Sequence, residues 1–145
     1  MRTEIITQLN QLLADYQIFY QNLRGFHWNI EGRKFFELHE KFELLYLDAA
    51  VKIDAIAERI LTVEGTPLHS FDDYVSTSNI AAQKNVRAGE EAVKTIVDNL
   101  SHIVEIERGI KELAEQQNDS GTADMVSAFI EEQEKTLWMY KAWLK

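Results

Sequence analysis

The chain has 145 residues, 46% hydrophobic and 27% charged, with no cysteine and a formal net charge of −9. That length can bury a core without disulfides or a structural metal, and the missing cysteine excludes a zinc ribbon, a thiol nucleophile and a redox dithiol. The acidic balance argues against general binding to a phosphate backbone, which needs an excess of Lys and Arg, and suits cations better.

From Thr3 to about Asn29 apolar residues recur at helical spacing (Ile5, Ile6, Leu9, Leu12, Leu13, Tyr16, Phe19, Tyr20, Leu23), which predicts a long first helix. Gly25 interrupts it late, and Gly32 marks the turn that follows. A second helix is predicted from about Phe35 to Glu64, through Phe36, Leu38, Phe42, Leu45, Tyr46, Ala49, Ile53, Ile56, Ala57, Ile60 and Leu61; Gly65 and Pro67 stop it. Residues 66–83 read as a long connection with a short helix around Phe71 to Tyr74. The third helix is expected from about Gln83 to Glu115, through Val86, Val93, Ile96, Val97, Leu100, Val104, Ile110 and Leu113. The run Gln117-Asn118-Asp119-Ser120-Gly121 is a turn. Ser120 or Thr122 then caps a fourth helix that carries Met125, Val126, Phe129, Ile130 and Leu137, with Trp138 and Trp143 as packing residues.

No repeat, low-complexity tract or linker divides the sequence, so residues 1–145 read as a single all-α domain. Four long helices with one long crossover between the second and third match the four-helix bundle of ferritin-like folds. The start, MRTEIITQLNQLL, lacks the basic beginning, apolar core and cleavage site of a signal peptide. No apolar stretch approaches the roughly 18 residues of a membrane helix. The expectation is a cytoplasmic protein with no membrane partner.

Four histidines are present: His27, His39, His69 and His102. A di-iron site enclosed in one bundle takes Glu-x-x-His from two helices, and that spacing does not occur here. The second helix offers another arrangement. His39 and Glu43 are one i,i+4 pair and Asp54 and Glu58 another, and all four fall within about 100° of arc on one helix face. The pairs are about 22 Å apart along the axis, far beyond metal–ligand bonds of about 2 Å, so one chain cannot close them on one ion. Both His39/Glu58 and Glu43/Asp54 are centred between Asp48 and Ala49. Two copies of the helix crossing antiparallel there would bring His39 and Glu43 of one chain to Asp54 and Glu58 of the other, with Ala49 and Ala50 permitting close approach. An isologous two-fold dimer has this self-complementary geometry and would make two equivalent sites. His27 could add a third ligand from the first chain. Such a donor set suits iron or another first-row divalent ion, with zinc and manganese compatible alternatives. Against this stands the ordinary reading of i,i+4 charges as a solvated helix face.

The local sequence adds more. His27-Trp28-Asn29-Ile30-Glu31-Gly32, Phe35-Phe36-Glu37-Leu38-His39-Glu40-Lys41-Phe42-Glu43 and Asp54-Ala55-Ile56-Ala57-Glu58-Arg59-Ile60 resemble the signature of the Dps family, the mini-ferritins named as DNA-binding proteins from starved cells. The resemblance extends over essentially the whole chain, to the ending Thr136-Leu137-Trp138-Met139-Tyr140-Lys141-Ala142-Trp143-Leu144. It implies a hollow shell of twelve subunits, built from two-fold dimers, that oxidises Fe(II) with hydrogen peroxide and stores ferric mineral. It implies inter-subunit di-iron sites, with His27, His39 and Glu43 from one subunit and Asp54 and Glu58 from its mate. The family more commonly has Asp where Glu43 stands. It further implies a role for Trp28 as electron donor or radical trap, an interface-packing role being the plainer alternative. Asp119 and Asp124 correspond to acidic residues lining an iron-entry pore; acidic residues at a helix start are also simply stabilising. His69 and His102 are expected to form local hydrogen bonds or lie exposed.

DNA-binding members commonly carry a Lys/Arg-rich tail, whereas here the first helical pattern starts within a few residues and Lys145 directly follows the last. Twelve copies would carry a formal charge of about −108, which repels DNA. The expectation is a ferroxidase and iron store without direct DNA binding. The alternative is a nucleoid-associated, DNA-protecting shell with little dependence on ferroxidase activity.

Overall fold

In a computed structural model, residues 2–145 are described, and they form five helices: α1 (Arg2–Asn29), α2 (Phe35–Thr62), α3 (Phe71–Thr77), α4 (Gly89–Gln116) and α5 (Ser120–Leu144). The fold is all-α, a ferritin-like four-helix bundle in which α1, α2, α4 and α5 are long and α3 is the short helix of the crossover. Among the described residues no helix is long and apolar enough to cross a membrane.

The predicted apolar stripes are the core. Leu9, Leu12, Tyr16, Phe19 and Leu23 of α1 meet Phe42, Ile56 and Ile60 of α2, and Ile96, Leu100 and Ile103 of α4 with Val126 of α5 complete it. α1 packs mainly on α2 and α4, and α4 on α5. The α1–α2 connection turns at Gly32, whose φ of 112° is open to glycine at little cost. Glu31 N–H donates to Arg87 O at 2.8 Å, so α4 starts beside that same turn. The crossover must therefore climb the full length of the bundle, about 42 Å for 28 helical residues.

A polar ladder on α1 holds it there. Asn10 donates to Thr66 O and accepts from Leu68 N–H. Gln11 donates to Thr77 O, fully buried Asp15 accepts from Asn79 N–H at 2.7 Å and from the Ser78 hydroxyl, and Asn22 donates to Ala81 O while accepting from Gln83 N–H. These tertiary bonds explain one departure from the sequence reading. The third long helix begins at Gly89, not near Gln83, because the main chain of residues 79–83 is committed to α1 and Asn85 sits at φ 61°. Val86 is buried, but ahead of the helix rather than on it.

Smaller corrections concern helix ends. α2 stops at Thr62, and α3 extends to Thr77 under a Ser70 cap. α5 is capped by Asp119, whose carboxylate accepts from Thr122 N–H, instead of by Ser120 or Thr122. Trp143 packs against the core, but Trp138 is 66% exposed, because it follows buried Leu137 by one helical step of about 100°.

One group of polar side chains lies inside the bundle, with a member from each long helix. The Tyr16 hydroxyl donates to Gln133 Oε1, and Gln133 Nε2 donates to Glu107 Oε1. Glu107 Oε2 has no hydrogen-bond partner. Burial pushes the Glu107 carboxyl up to about 8, against the pull of the Gln133 bond and the Lys52 charge. Lys52 is itself buried, its ammonium 2.5 Å from Asp48 Oδ2, 3.3 Å from Glu132 Oε2 and over the Phe129 ring. The sequence carried a signal for two of these residues: Glu107 and Gln133 occupy positions where the apolar stripes of α4 and α5 would continue.

Candidate metal centre

The last turn of α1 and the first turns of α2 converge where Phe26 packs edge-on against Phe42, with ring centroids 6.2 Å apart. This contact fixes the two helices and sets His27 opposite His39. Their imidazoles stack with centroids 3.7 Å apart and planes within 11°, and Phe35 stacks on the other side of His39 at 4.9 Å.

The two rings hold each other through the backbone. His27 Nδ1 is 2.7 Å from His39 O, and His39 Nδ1 is 2.7 Å from His27 O. A carbonyl oxygen can only accept, so each Nδ1 carries the proton and each Nε2 keeps its lone pair for an ion. Glu43 Oε1 lies 3.6 Å from His27 Nε2, on a side chain that is 49% exposed. The donor atoms of His27, His39 and Glu43 all lie within 4.8 Å of one another. Among the described residues this is the one group of three or more His, Asp and Glu side chains that converges so closely. Bonds of about 2.0–2.2 Å place donors around one ion up to about 4 Å apart, so a small contraction would close the trio on a divalent cation. Two imidazoles and a carboxylate suit iron, zinc or manganese better than calcium or magnesium.

Asp54 and Glu58 are not part of this trio. Both are exposed further along α2. Between them and Glu43, α2 presents an apolar strip of Leu44, Leu47 and Val51, the last 70% exposed. Lone exposed hydrophobics are common on protein surfaces, but a strip flanked at both ends by carboxylates resembles the centre of an interface.

The remaining expected residues occupy separate environments. Trp28 is 53% exposed, with the Arg24 guanidinium 4.9 Å over its ring. Asp119 has only 7% of its side chain exposed and is bound by Arg59 at 2.8 Å and by Thr122. Burial opposes its ionisation, but the Thr122 and Arg59 bonds prevail and hold it below the ordinary carboxylate range. Its carboxylate is thus engaged as a helix cap, while Asp124 is exposed. His69 is exposed near Pro67 O. His102, expected to bond locally or lie exposed, is partly exposed and makes a long-range bond to Asp15 at 3.0 Å. A residue that the sequence suggested only as core, Tyr46, meets His27 edge-on at 5.3 Å. Its signal was the i+3 spacing from Glu43.

Comparison with known proteins places the chain in a family. The sequence profile described as a ferritin-like domain matches residues 6–145. The chain is 41% identical over 139 residues to a DNA protection during starvation protein of Porphyromonas gingivalis, covering 96% of this chain and 87% of that one. It is 37% identical over 145 residues to DNA protection during starvation protein 2 of Bacillus anthracis, covering 99% of both. The crystal structure of a Dps protein from Vibrio cholerae O1, described as a member of a broad superfamily of ferritin-like diiron-carboxylate proteins, superposes with a TM-score of 0.98 at 46% identity. That match covers 99% of this chain and 90% of the other.

Proposed function

The chain belongs to the Dps family of ferritin-like proteins, and on that premise we propose that it is a ferroxidase and iron store. Fe(II) is the substrate, hydrogen peroxide the oxidant, and the sites are di-iron sites shared between two-fold-related subunits of a twelve-subunit shell. Ferric mineral collects inside the shell, iron and peroxide are removed together, and the protein works in the cytoplasm.

The observation that carries this reading is the convergence of His27, His39 and Glu43 with both Nδ1 protons fixed on backbone carbonyls. Three donors with outward-facing lone pairs make half of a site. The other half is supplied by Asp54 and Glu58 of the mate, whose positions mirror His39 and Glu43 about the middle of α2. The apolar strip of Leu44, Leu47 and Val51 is the surface across which the two helices pack. Asp124 remains the better candidate to draw Fe(II) toward an entry pore, since Asp119 is engaged by Arg59. Zinc or manganese would compete for the same donors.

A DNA-protecting shell is the second reading, favoured by the names of the relatives. The charge of −9 per chain argues against direct contact with DNA. A mobility shift at low salt with magnesium-free protein would overturn that part of the proposal.

The main test loads Fe(II) anaerobically, adds peroxide and follows ferric absorbance against a protein-free control and an Asp54→Ala/Glu58→Ala variant. Rapid oxidation consuming about one peroxide per two irons, lowered at least about 100-fold in the variant, is expected if the carboxylates complete the site. Oxidation unchanged in the variant would contradict it.

A further inference from the structure

Tyr46 touches the donor trio without belonging to it. It follows Glu43 by three residues on α2, which keeps it on the same helix face. Its ring meets His27 with planes at 75° and centroids 5.3 Å apart. Tyr20 of α1 meets Tyr46 in turn at 5.9 Å and 80°. Ring contact thus runs unbroken from the imidazole of a candidate ligand to two phenols on neighbouring helices.

Trp28 offers a contrasting environment although it adjoins His27 in sequence. It is largely exposed and carries the Arg24 guanidinium on its face. An indole that gives up an electron first becomes a cation, and a guanidinium against its π-face opposes that charge. A phenol sheds its proton with the electron and stays neutral, so the same arginine, 5.4 Å from the Tyr20 ring, penalises a tyrosine much less.

We infer that Tyr46 is the one-electron donor of this site, acting through His27 when a single Fe(II) meets hydrogen peroxide, with Tyr20 the next carrier outward. The inference rests on the ferroxidase reading above. Reducing one peroxide takes two electrons, which two ferrous ions supply and one does not. With one ion present, Fe(II) gives one electron and the Tyr46 phenol the other. The O–O bond breaks, and the phenol proton goes to a peroxide oxygen. Fe(II), hydrogen peroxide and the phenol become Fe(III), one water, one hydroxide and a neutral tyrosyl radical. The oxygen that would otherwise leave as a hydroxyl radical is reduced within the protein.

The test uses the assembled apoprotein, loaded anaerobically with less than one Fe(II) per site. It is mixed with an equal amount of peroxide, frozen within seconds and read by electron paramagnetic resonance, with ferric formation followed on the same sample. The expected signal is an organic radical whose hyperfine pattern collapses when the protein carries ring-deuterated tyrosine but not deuterated tryptophan. It persists in Trp28→Phe and in Tyr20→Phe and is lost in Tyr46→Phe. Where Tyr46→Phe does not assemble, a tyrosine signal that persists in single Phe variants of Tyr16, Tyr20, Tyr74 and Tyr140 assigns the radical to Tyr46 by elimination, and its loss in one of them with normal ferric formation overturns the inference. A tryptophan radical, no radical, or a signal unchanged in Tyr46→Phe, each with normal ferric formation, overturns the inference and leaves the ferroxidase reading intact. Ferric formation no faster than without protein overturns both.

Discussion

Two polar clusters, one at the centre of the bundle and one beside the α1–α2 turn, treat charge in opposite ways. At the centre, Tyr16, Gln133 and Glu107 bond to one another, and the cation is a lysine of the chain itself, Lys52. Beside the turn, His27 and His39 spend their protons on backbone carbonyls and leave their lone pairs to face Glu43 and solvent. In the first cluster the side chains partner one another, with Glu107 Oε2 alone left over; the second has the donor set of half a coordination shell on the reading proposed above. A bundle can therefore hold several buried ionisable groups at a distance from its candidate metal centre. What separates the two is the direction in which unshared lone pairs point.

Three variants sharpen this contrast. The largest effect is expected from Glu107→Gln. Glu107 titrates near 8 in the folded protein because of its burial, against an unfolded value near 4.3. Its contribution is fully present below the unfolded value and is lost as pH rises through about 8, a change of roughly 5 kcal/mol at most. Glu107→Gln should remove that dependence and raise the melting temperature above pH 8, with little change near pH 5. Thermal unfolding at fixed protein concentration across pH checks it, and parallel curves for the two proteins would show that the core carboxyl is not held protonated.

Next comes Asp48→Ala/Glu132→Ala, which leaves the Lys52 ammonium buried without either of its ion-pair partners. A loss of about 3 kcal/mol is expected on denaturant unfolding. A loss under about 1 kcal/mol would mean that the lysine reaches water once its partners are gone. The smallest effect on stability belongs to Glu43→Gln. Its side chain is half exposed, so folding should change by under about 0.5 kcal/mol. Affinity for Zn(II) should nevertheless fall at least about tenfold as one charged donor is lost. The same substitution in a solvated, non-ligating face would leave Zn(II) binding unchanged.

Much of this architecture is legible in the sequence. The four long helices follow from apolar residues at i, i+3 and i+4, and the candidate ligands His39, Glu43, Asp54 and Glu58 are picked out by their spacing on α2. The third long helix was misplaced at its start because Val86 continues the apolar rhythm of α4. Only the bonds from Asp15 and Asn22 to the crossover reveal that the main chain there is committed elsewhere. The reciprocal His27–His39 bonds were illegible for a related reason, since they depend on how closely Phe26 and Phe42 bring two helices together. The family resemblance implies a role for Trp28 beside His27, yet neighbouring helical residues point about 100° apart. Tyr46, farther along the chain, is the aromatic that meets His27.

The central claim is that one site is made by two chains, and mixing tests it most directly. One variant, His27→Ala/His39→Ala, keeps the carboxylates; the other, Asp54→Ala/Glu58→Ala, keeps the imidazoles. Each should be inactive alone. Co-assembled in equal amounts, half of the two-fold pairs are mixed, and each mixed pair has one intact site and one doubly damaged one. Peroxide-dependent iron oxidation should therefore return to about one quarter of the wild-type rate. No recovery in shells that demonstrably contain both chains would contradict a site shared between subunits.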